Sequence, residues 1–211
     1  EIETPVKYRR LDRDQAVVLF VDHQTGLFSL VRDYTPDEFK NNLLALADTA
    51  KLFKLPVILT TSSETGPNGP IMPELKNTFP DAPYIARPGQ INAWDNADFV
   101  KAVNATGRKQ LIIAGIVTEV CVAFPTLSAL KAGYEVFVAT DCSGTLNVGI
   151  RDSAWLRMNR AGAQLYNWFA IGCELQRDWR NDGEDFANLL ANHLPPYANL
   201  IESQKATIQG V

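Results

Sequence analysis

Short apolar runs alternate with segments of helical periodicity along the chain. The runs are rich in Val, Ile, Leu and Ala, and the first of them ends on a carboxylate, Asp22. They occupy residues 16–22, 55–60, 111–115, 134–140 and 163–166. Runs this short and this apolar are typical of strands that are buried on both faces, as in a parallel sheet.

Helical spacing fills most of the intervals between these runs. Thr35 and Pro36 begin a helix that the apolar spacing extends to Lys54, with a cap followed by proline at the first position. Further helices are predicted over residues 97–106, 118–132, 147–161, 168–179 and 184–193. Strands that alternate with such helices predict an α/β fold with a parallel sheet covered on both faces. We expect a single domain over residues 1–211.

Two segments lack this periodicity. Residues 65–92 hold six of the twelve prolines together with several glycines, which predicts a long ordered loop. Residues from about 195 onward are polar and weakly patterned, so we expect this tail to contact a neighbouring subunit or to be mobile.

Composition and charge narrow the class of protein. The net charge of −4 comes without a basic block, so nucleic acid is not an expected partner. The apolar runs are far shorter than the ~20 residues of a membrane span. Three cysteines, an odd number at irregular spacing, argue for a reducing compartment and a cytoplasmic location. The two histidines are far apart and no Gly-rich nucleotide motif is present, so neither a metal nor a cofactor is expected.

In open parallel sheets, ligands bind beyond the carboxyl ends of the strands. This rule selects Asp22, residues 116–121, and Asp141 with Cys142. Cys121 falls at the third position of a helix that Thr118 is predicted to cap, where free N–H groups favour the nucleophilic thiolate. The sequence supports equally well a second interpretation, in which Cys121 is a small buried hydrophobic residue.

The other candidates also allow two interpretations. Asp22 is either a turn residue or a general acid and base. Arg87 is either a solvated loop residue or a fixed cation that holds Asp22 and Cys121 in their charged forms; it cannot transfer protons itself. His23 points away from Asp22 in an extended strand end, so we interpret it as a packing residue or a support for the site.

Three motifs together resemble the isochorismatase-like cysteine hydrolases: FVDHQ at 20–24, ARPG at 86–89 and AGIVTEVCV at 114–122. The resemblance covers nearly the whole chain, and DHQTGLFSLVRD, INAWDN and ELQRDWRND point further to the YcaC-like branch. It implies a three-layer αβα fold around a six-stranded parallel sheet of Rossmann-like topology. It also implies a homo-oligomer, an octamer in this branch.

The resemblance further implies a triad of Asp22, Arg87 and Cys121. A cis peptide between Ile116 and Val117 is expected to place the Val117 N–H beside that of Cys121 as an oxyanion hole. Five other residues of the matched segments are predicted to line the substrate pocket: Gln24, Leu27, Asn92, Trp94 and Thr118.

The implied reaction is hydrolysis of a small amide or related acyl compound through a thioester on Cys121. Nicotinamidases of this superfamily carry metal-binding histidines next to the pocket, whereas TTSSETGPNG at 60–69 has none, so nicotinamidase activity is not expected. Two alternatives remain open at the level of sequence. One is a thiol-redox protein with Cys142 as the resolving cysteine, and the other is a catalytically silent oligomeric scaffold.

Overall fold

A six-stranded, all-parallel sheet forms the centre of the computed structural model, which describes residues 8–210. The parts of the predicted single domain that fall on residues 1–7 and 211 lie outside the described residues. The strands lie in the order β3-β2-β1-β4-β5-β6. They are β1 (Ala16–Val21), β2 (Val57–Ser62), β3 (Tyr84–Arg87), β4 (Gln110–Gly115), β5 (Glu135–Ala139) and β6 (Gln164–Tyr166).

Helices cover both faces of this sheet, which confirms the predicted three-layer α/β architecture. Over residues 8–210 the α-helices are α1 (Pro36–Leu52), α2 (Pro73–Thr78), α3 (Ala97–Ala105), α4 (Ala123–Lys131), α5 (Val148–Ala161), α6 (Trp168–Gln176), α7 (Gly183–His193) and α8 (Pro195–Gln209). The predicted start of α1 is confirmed, because Thr35 accepts a hydrogen bond from the Glu38 N–H and Pro36 follows the cap.

The two faces of the sheet carry separate hydrophobic cores. Side chains alternate along β1, so that Val18 and Phe20 pack with α1, α6 and α7, whereas Val17 and Leu19 pack with α3, α4 and α5. All six residues of β1 are buried, as are those of β4. This burial on both faces explains why the strands have continuous apolar sequences.

The predicted long loop over residues 65–92 is wrong in part, because it contains α2 and β3. β3 has only four residues and pairs with β2 at the edge of the sheet, where its first three residues stay partly or largely exposed and only Arg87 is buried. Pro83 and Pro88 flank it directly. A short, half-buried strand between prolines lacks the apolar run by which the other strands are recognised.

The tail beyond residue 195 is also ordered, contrary to the weak pattern of its sequence. It forms α8, which contacts α7 and in which no side chain is buried. With no buried stripe to select for apolar residues, the sequence of α8 carries little helical periodicity. No helix among the described residues has the length and apolar character that a membrane span needs.

Strand order reverses between β1 and β4, which are direct neighbours and lead to opposite edges of the sheet. Such a switch point leaves a crevice at the carboxyl ends of the two central strands, where ligands bind in sheets of this type. Asp22 follows β1, and the segment with Cys121 follows β4. The fold therefore brings these two residues to the same crevice although 99 positions separate them in the sequence.

Candidate active site

Asp22 and Arg87 form a buried, bidentate ion pair at the carboxyl edge of the sheet. Arg87 Nη1 lies 2.9 Å from Asp22 Oδ1 and Nη2 lies 3.0 Å from Oδ2. The Arg87 side chain is 0% exposed and the Asp22 side chain is 1% exposed. Asp22 takes a left-handed backbone conformation (φ 59°), which Asp tolerates better than most residues and which turns the chain as β1 ends.

Three further groups fix the Arg87 guanidinium. Nη1 also donates to Thr60 Oγ1 at 2.8 Å, Nε donates to the Gln90 carbonyl at 3.0 Å, and Nη2 donates to the Ile91 carbonyl at 3.5 Å. Thr60 was not among the predicted site residues. Its signal in the sequence is the change from apolar to hydroxyl residues within the fully buried strand β2, in which Thr60 is the first of three hydroxyl residues.

Cys121 lies in a π-helical turn, Thr118–Val122, that precedes α4. Its thiol is within hydrogen-bonding reach of the Asp22 carboxylate and of the Val117 backbone. Burial, followed by the negative charge of Asp22, raises the pKa of the Cys121 thiol well above its usual range, although the Val117 contact and Arg87 act in the opposite direction. Burial and the Asp22 carboxylate therefore favour the thiol over the thiolate at Cys121.

This corrects the expectation that a helix start favours the thiolate at Cys121. The predicted helix over 118–132 does not begin as an α-helix, and Thr118 makes no capping hydrogen bond. The desolvation of a largely buried sulfur and its acidic neighbour outweigh the local backbone donors. Pro125 falls in the first turn of α4, where a missing N–H removes no helical hydrogen bond.

The peptide bond between Ile116 and Val117 is cis. Ile116 N–H donates to the Val21 carbonyl at 3.2 Å, so this segment continues the pairing of β4 with β1. Val117 and Leu27 both pack against a small apolar cluster of Val31, Phe39 and Ile116. The predicted pocket residue Leu27 thus lies beside the same segment as Val117.

Thr118 is fully buried, and its Oγ1 has no hydrogen-bond partner among the described residues. Its backbone N–H donates to the Gly144 carbonyl at 3.1 Å. An unpaired hydroxyl three residues from Cys121 keeps Thr118 as a candidate for contact with a substrate.

The other predicted pocket residues have structural contacts instead. The Gln24 amide is saturated, since its Nε2 donates to the Ser62 and Gly69 carbonyls and its Oε1 accepts from the Ser62 N–H. Asn92 caps the turn Ala93–Asp95 and donates to Ser128 Oγ. These bonds give both side chains a structural role, and their place in the substrate pocket stays a prediction.

Trp94 also has structural contacts. Its ring packs edge-on against Phe99 of α3 and against Tyr134, which immediately precedes β5. Tyr134 lies at the amino edge of the sheet, opposite the edge that carries Asp22. These contacts give Trp94 a packing role, and its place in the substrate pocket stays a prediction.

The interpretation of His23 as a packing residue is confirmed. Its ring is buried between Phe20 and Phe39, and Nε2 lies 3.0 Å from the Cys142 carbonyl. Burial lowers its pKa to about 4, so His23 is neutral at physiological pH. Within residues 8–210, no group of three or more His, Cys, Asp or Glu side chains is arranged to hold a metal ion.

Comparisons with known proteins identify the family of the chain. A family model described as the isochorismatase domain matches residues 16–168. The probable hydrolase YcaC of Escherichia coli (strain K12) is 68% identical over 196 residues, which are 93% of this chain and 94% of that protein.

Two solved structures are similar over nearly their whole length. YcaC from Pseudomonas aeruginosa, with hexane-2,5-diol and covalent acrylamide, gives a TM-score of 0.93 at 71% identity and covers 94% of this chain and 98% of that chain. E. coli YcaC, described as an octameric hydrolase of unknown specificity, gives a TM-score of 0.93 at 68% identity, with 95% and 98% covered. These similarities show that the chain belongs to the isochorismatase family of hydrolases, in its YcaC-like branch.

Proposed function

We propose that the protein hydrolyses a small amide or related acyl compound through a thioester on Cys121. One observation carries this proposal: the Cys121 thiol faces a carboxylate, Asp22, whose position is fixed by a buried bidentate arginine. A nucleophile within reach of its base, with the base held by a third group, is the general arrangement of covalent catalysis.

In the first half of the reaction, the thiol proton moves to Asp22 as the sulfur attacks the carbonyl carbon and a C–S bond forms. Asp22 then gives this proton to the leaving amine as the C–N bond breaks. In the second half, Asp22 takes a proton from water, whose oxygen attacks the thioester, and the proton returns to the sulfur as the acid leaves. Arg87 stays protonated throughout, so Asp22 carries every proton.

The raised pKa of Cys121 fits a base that acts during the attack rather than a preformed thiolate. The Val117 backbone lowers the pKa of the Cys121 thiol, so the oxygen of a carbonyl bonded to that sulfur would lie near this donor. We propose the N–H groups of Val117 and Cys121 as the oxyanion hole, with Leu27 and Thr118 lining the pocket.

The P. aeruginosa relative lends chemical support, because it was solved with covalent acrylamide. Acrylamide is a conjugate electrophile that adds to nucleophilic thiols. At 71% identity, a reactive nucleophile in that protein favours one in this chain.

The redox alternative is less compatible with the fold. Cys142 packs in the core on the face of the sheet that α1 covers, whereas Cys121 packs against the core on the other face. Burial also raises the pKa of Cys142 well above its usual range. A resolving cysteine needs access to its partner, and the sheet separates these two.

Assembly forms a second part of the proposal. The E. coli relative is described as octameric, and α8 presents Leu200 and Ile208 with 59% and 77% of their surface exposed. We propose that this chain also forms a homo-oligomer, in which α8 contacts a neighbouring subunit.

Alkylation by iodoacetamide over a range of pH, located by peptide mass spectrometry, tests the site. Asp22→Asn removes the carboxylate that raises the pKa of Cys121, so we expect alkylation of Cys121 to begin at lower pH in this variant. The same variant should lose the hydrolysis of small amides, because no group remains to carry the proton.

Asp141→Asn is the matched control. Asp141 lies close to Cys142, not Cys121, so it should leave the Cys121 profile and the hydrolysis unchanged. A Cys121 that stays inert at every pH, or a hydrolysis rate that survives in Asp22→Asn, contradicts the proposal.

A further inference from the structure

Asp33 is a fully buried carboxylate that the proposed chemistry does not use. It lies between β1 and α1, and its side chain is 0% exposed. Oδ1 accepts a hydrogen bond from the Thr145 N–H at 2.9 Å, and the Thr145 carbonyl accepts from the N–H groups of Arg32 (2.8 Å) and Asp33 (3.3 Å). The Arg151 guanidinium of α5 lies 4.0 Å from Oδ2. Asp33 therefore binds both the N–H and the carbonyl of Thr145, which lies in the segment after β5.

The residue next to Thr145 contacts the segment that bears Val117. Gly144 N–H donates to the Gly115 carbonyl at 3.3 Å, and the Gly144 carbonyl accepts from the Thr118 N–H at 3.1 Å. These two bonds form a parallel bridge with Ile116. The backbone on either side of Val117 is thus bonded to Gly144.

Gly144 has no freedom to move toward the core. A Cβ atom at this position would lie 2.7 Å from each γ-carbon of Val31 and 3.2 Å from the Phe39 ring. Packing fixes one side of the Gly144 segment, and the Asp33 carboxylate fixes the other. A change at Asp33 can therefore reach Val117 through two consecutive backbone contacts.

We propose that Asp33 is a positioning residue for the oxyanion hole, acting through Thr145 and Gly144 to aim the Val117 N–H. This inference rests on the proposed function, because it assigns a role within the same site. It predicts that Asp33 affects steps that develop negative charge on a carbonyl oxygen and spares those that do not. Loss of a well-placed oxyanion donor typically lowers the rate by about 10²–10³, and a misaligned donor should lower it less.

Two reactions of Cys121 separate these steps. Acylation by p-nitrophenyl acetate passes through a tetrahedral oxyanion and releases p-nitrophenolate, whereas alkylation by iodoacetamide displaces iodide without an oxyanion. In Asp33→Ala we expect acylation of Cys121 to slow by on the order of 10-fold or more, with alkylation within about 2-fold of the wild type. Asp33→Asn keeps an acceptor for the Thr145 N–H and should restore most of the acylation rate.

Glu174→Ala is the matched control for the loss of a carboxylate that accepts a backbone hydrogen bond. Glu174 Oε1 accepts from the Leu11 N–H at 2.7 Å, near the amino edge of the sheet, so this variant should leave both reactions unchanged. Asp33→Ala that acylates like the wild type, or that loses both reactions in parallel, overturns the positioning role. A wild type whose Cys121 is not acylated contradicts the proposed function itself and this inference with it.

Discussion

Removal of the Arg87 guanidinium should destabilise the protein strongly, because it leaves the Asp22 carboxylate buried without a counter-ion. The pair is bidentate at 2.9 and 3.0 Å and essentially unexposed. Breaking such a pair from one side costs about 3–5 kcal/mol. In Arg87→Met we therefore expect the free energy of unfolding to fall by about this amount.

Urea unfolding at pH 7 and fixed protein concentration measures this loss. With a slope of about 2–3 kcal/mol/M, the midpoint should fall by roughly 1–2 M. Arg87→Lys should recover part of the loss, since an ammonium restores the charge but not the bidentate geometry. Arg180→Met, which breaks an exposed pair with Asp178, should leave the midpoint unchanged. An Arg87→Met midpoint close to that of the wild type refutes the description of Asp22 as a buried charge that depends on Arg87.

Two further predictions concern pH and one concerns assembly. Burial lowers the pKa of His23 to about 4, so the free energy of unfolding falls by about 3 kcal/mol as the pH falls from 6.5 toward 4. His23→Gln should remove this decrease. Burial raises the pKa of Asp141 to about 6, so the free energy of unfolding falls by about 3 kcal/mol as the pH rises from about 4 through 6. Asp141→Asn should remove this decrease, which is opposite in direction to that of His23. Urea unfolding from pH 4 to 8 measures both slopes, and a variant that keeps the wild-type slope contradicts the assignment. Leu200→Glu with Ile208→Glu should lower the oligomeric mass in light scattering, whereas Ser203→Glu on the same helix should not; an unchanged mass in the double variant removes α8 from the interface.

The sequence predicted the central strands, and the position of Asp22 and Cys121 at one edge of the sheet, because both follow from local signals. β1 and β4 are buried on both faces, so their apolar runs are unbroken, and the residues that follow such strands lie at a known edge of the sheet. The family motifs then supplied Arg87, which sits on the short edge strand β3 that the apolar pattern does not reveal.

Long-range contacts and burial are the features that local sequence patterns do not predict. The hydrogen bond of Asp33 joins it to a residue 112 positions away, which no local pattern encodes. Trp94 follows Arg87 closely in the chain, yet its ring turns toward Tyr134 at the other edge of the sheet. The prediction of a thiolate at Cys121 failed because helix position is a local property, whereas desolvation and the charge of Asp22 depend on the assembled site.

If Cys121 forms a covalent acyl intermediate with Asp22 as its base, this cysteine should carry the acetyl group after reaction with p-nitrophenyl acetate. The protein is mixed with the ester and quenched in acid within the first turnover, and the acetyl group is located by peptide mass spectrometry. We expect one acetyl group, on Cys121, that forms with the burst of p-nitrophenolate and decays by hydrolysis, and that decays far more slowly in Asp22→Asn because no base remains to activate water. An acetyl group on Cys142 or Cys173 instead, or a Cys121 thioester that is hydrolysed equally fast without Asp22, contradicts this role of the two residues.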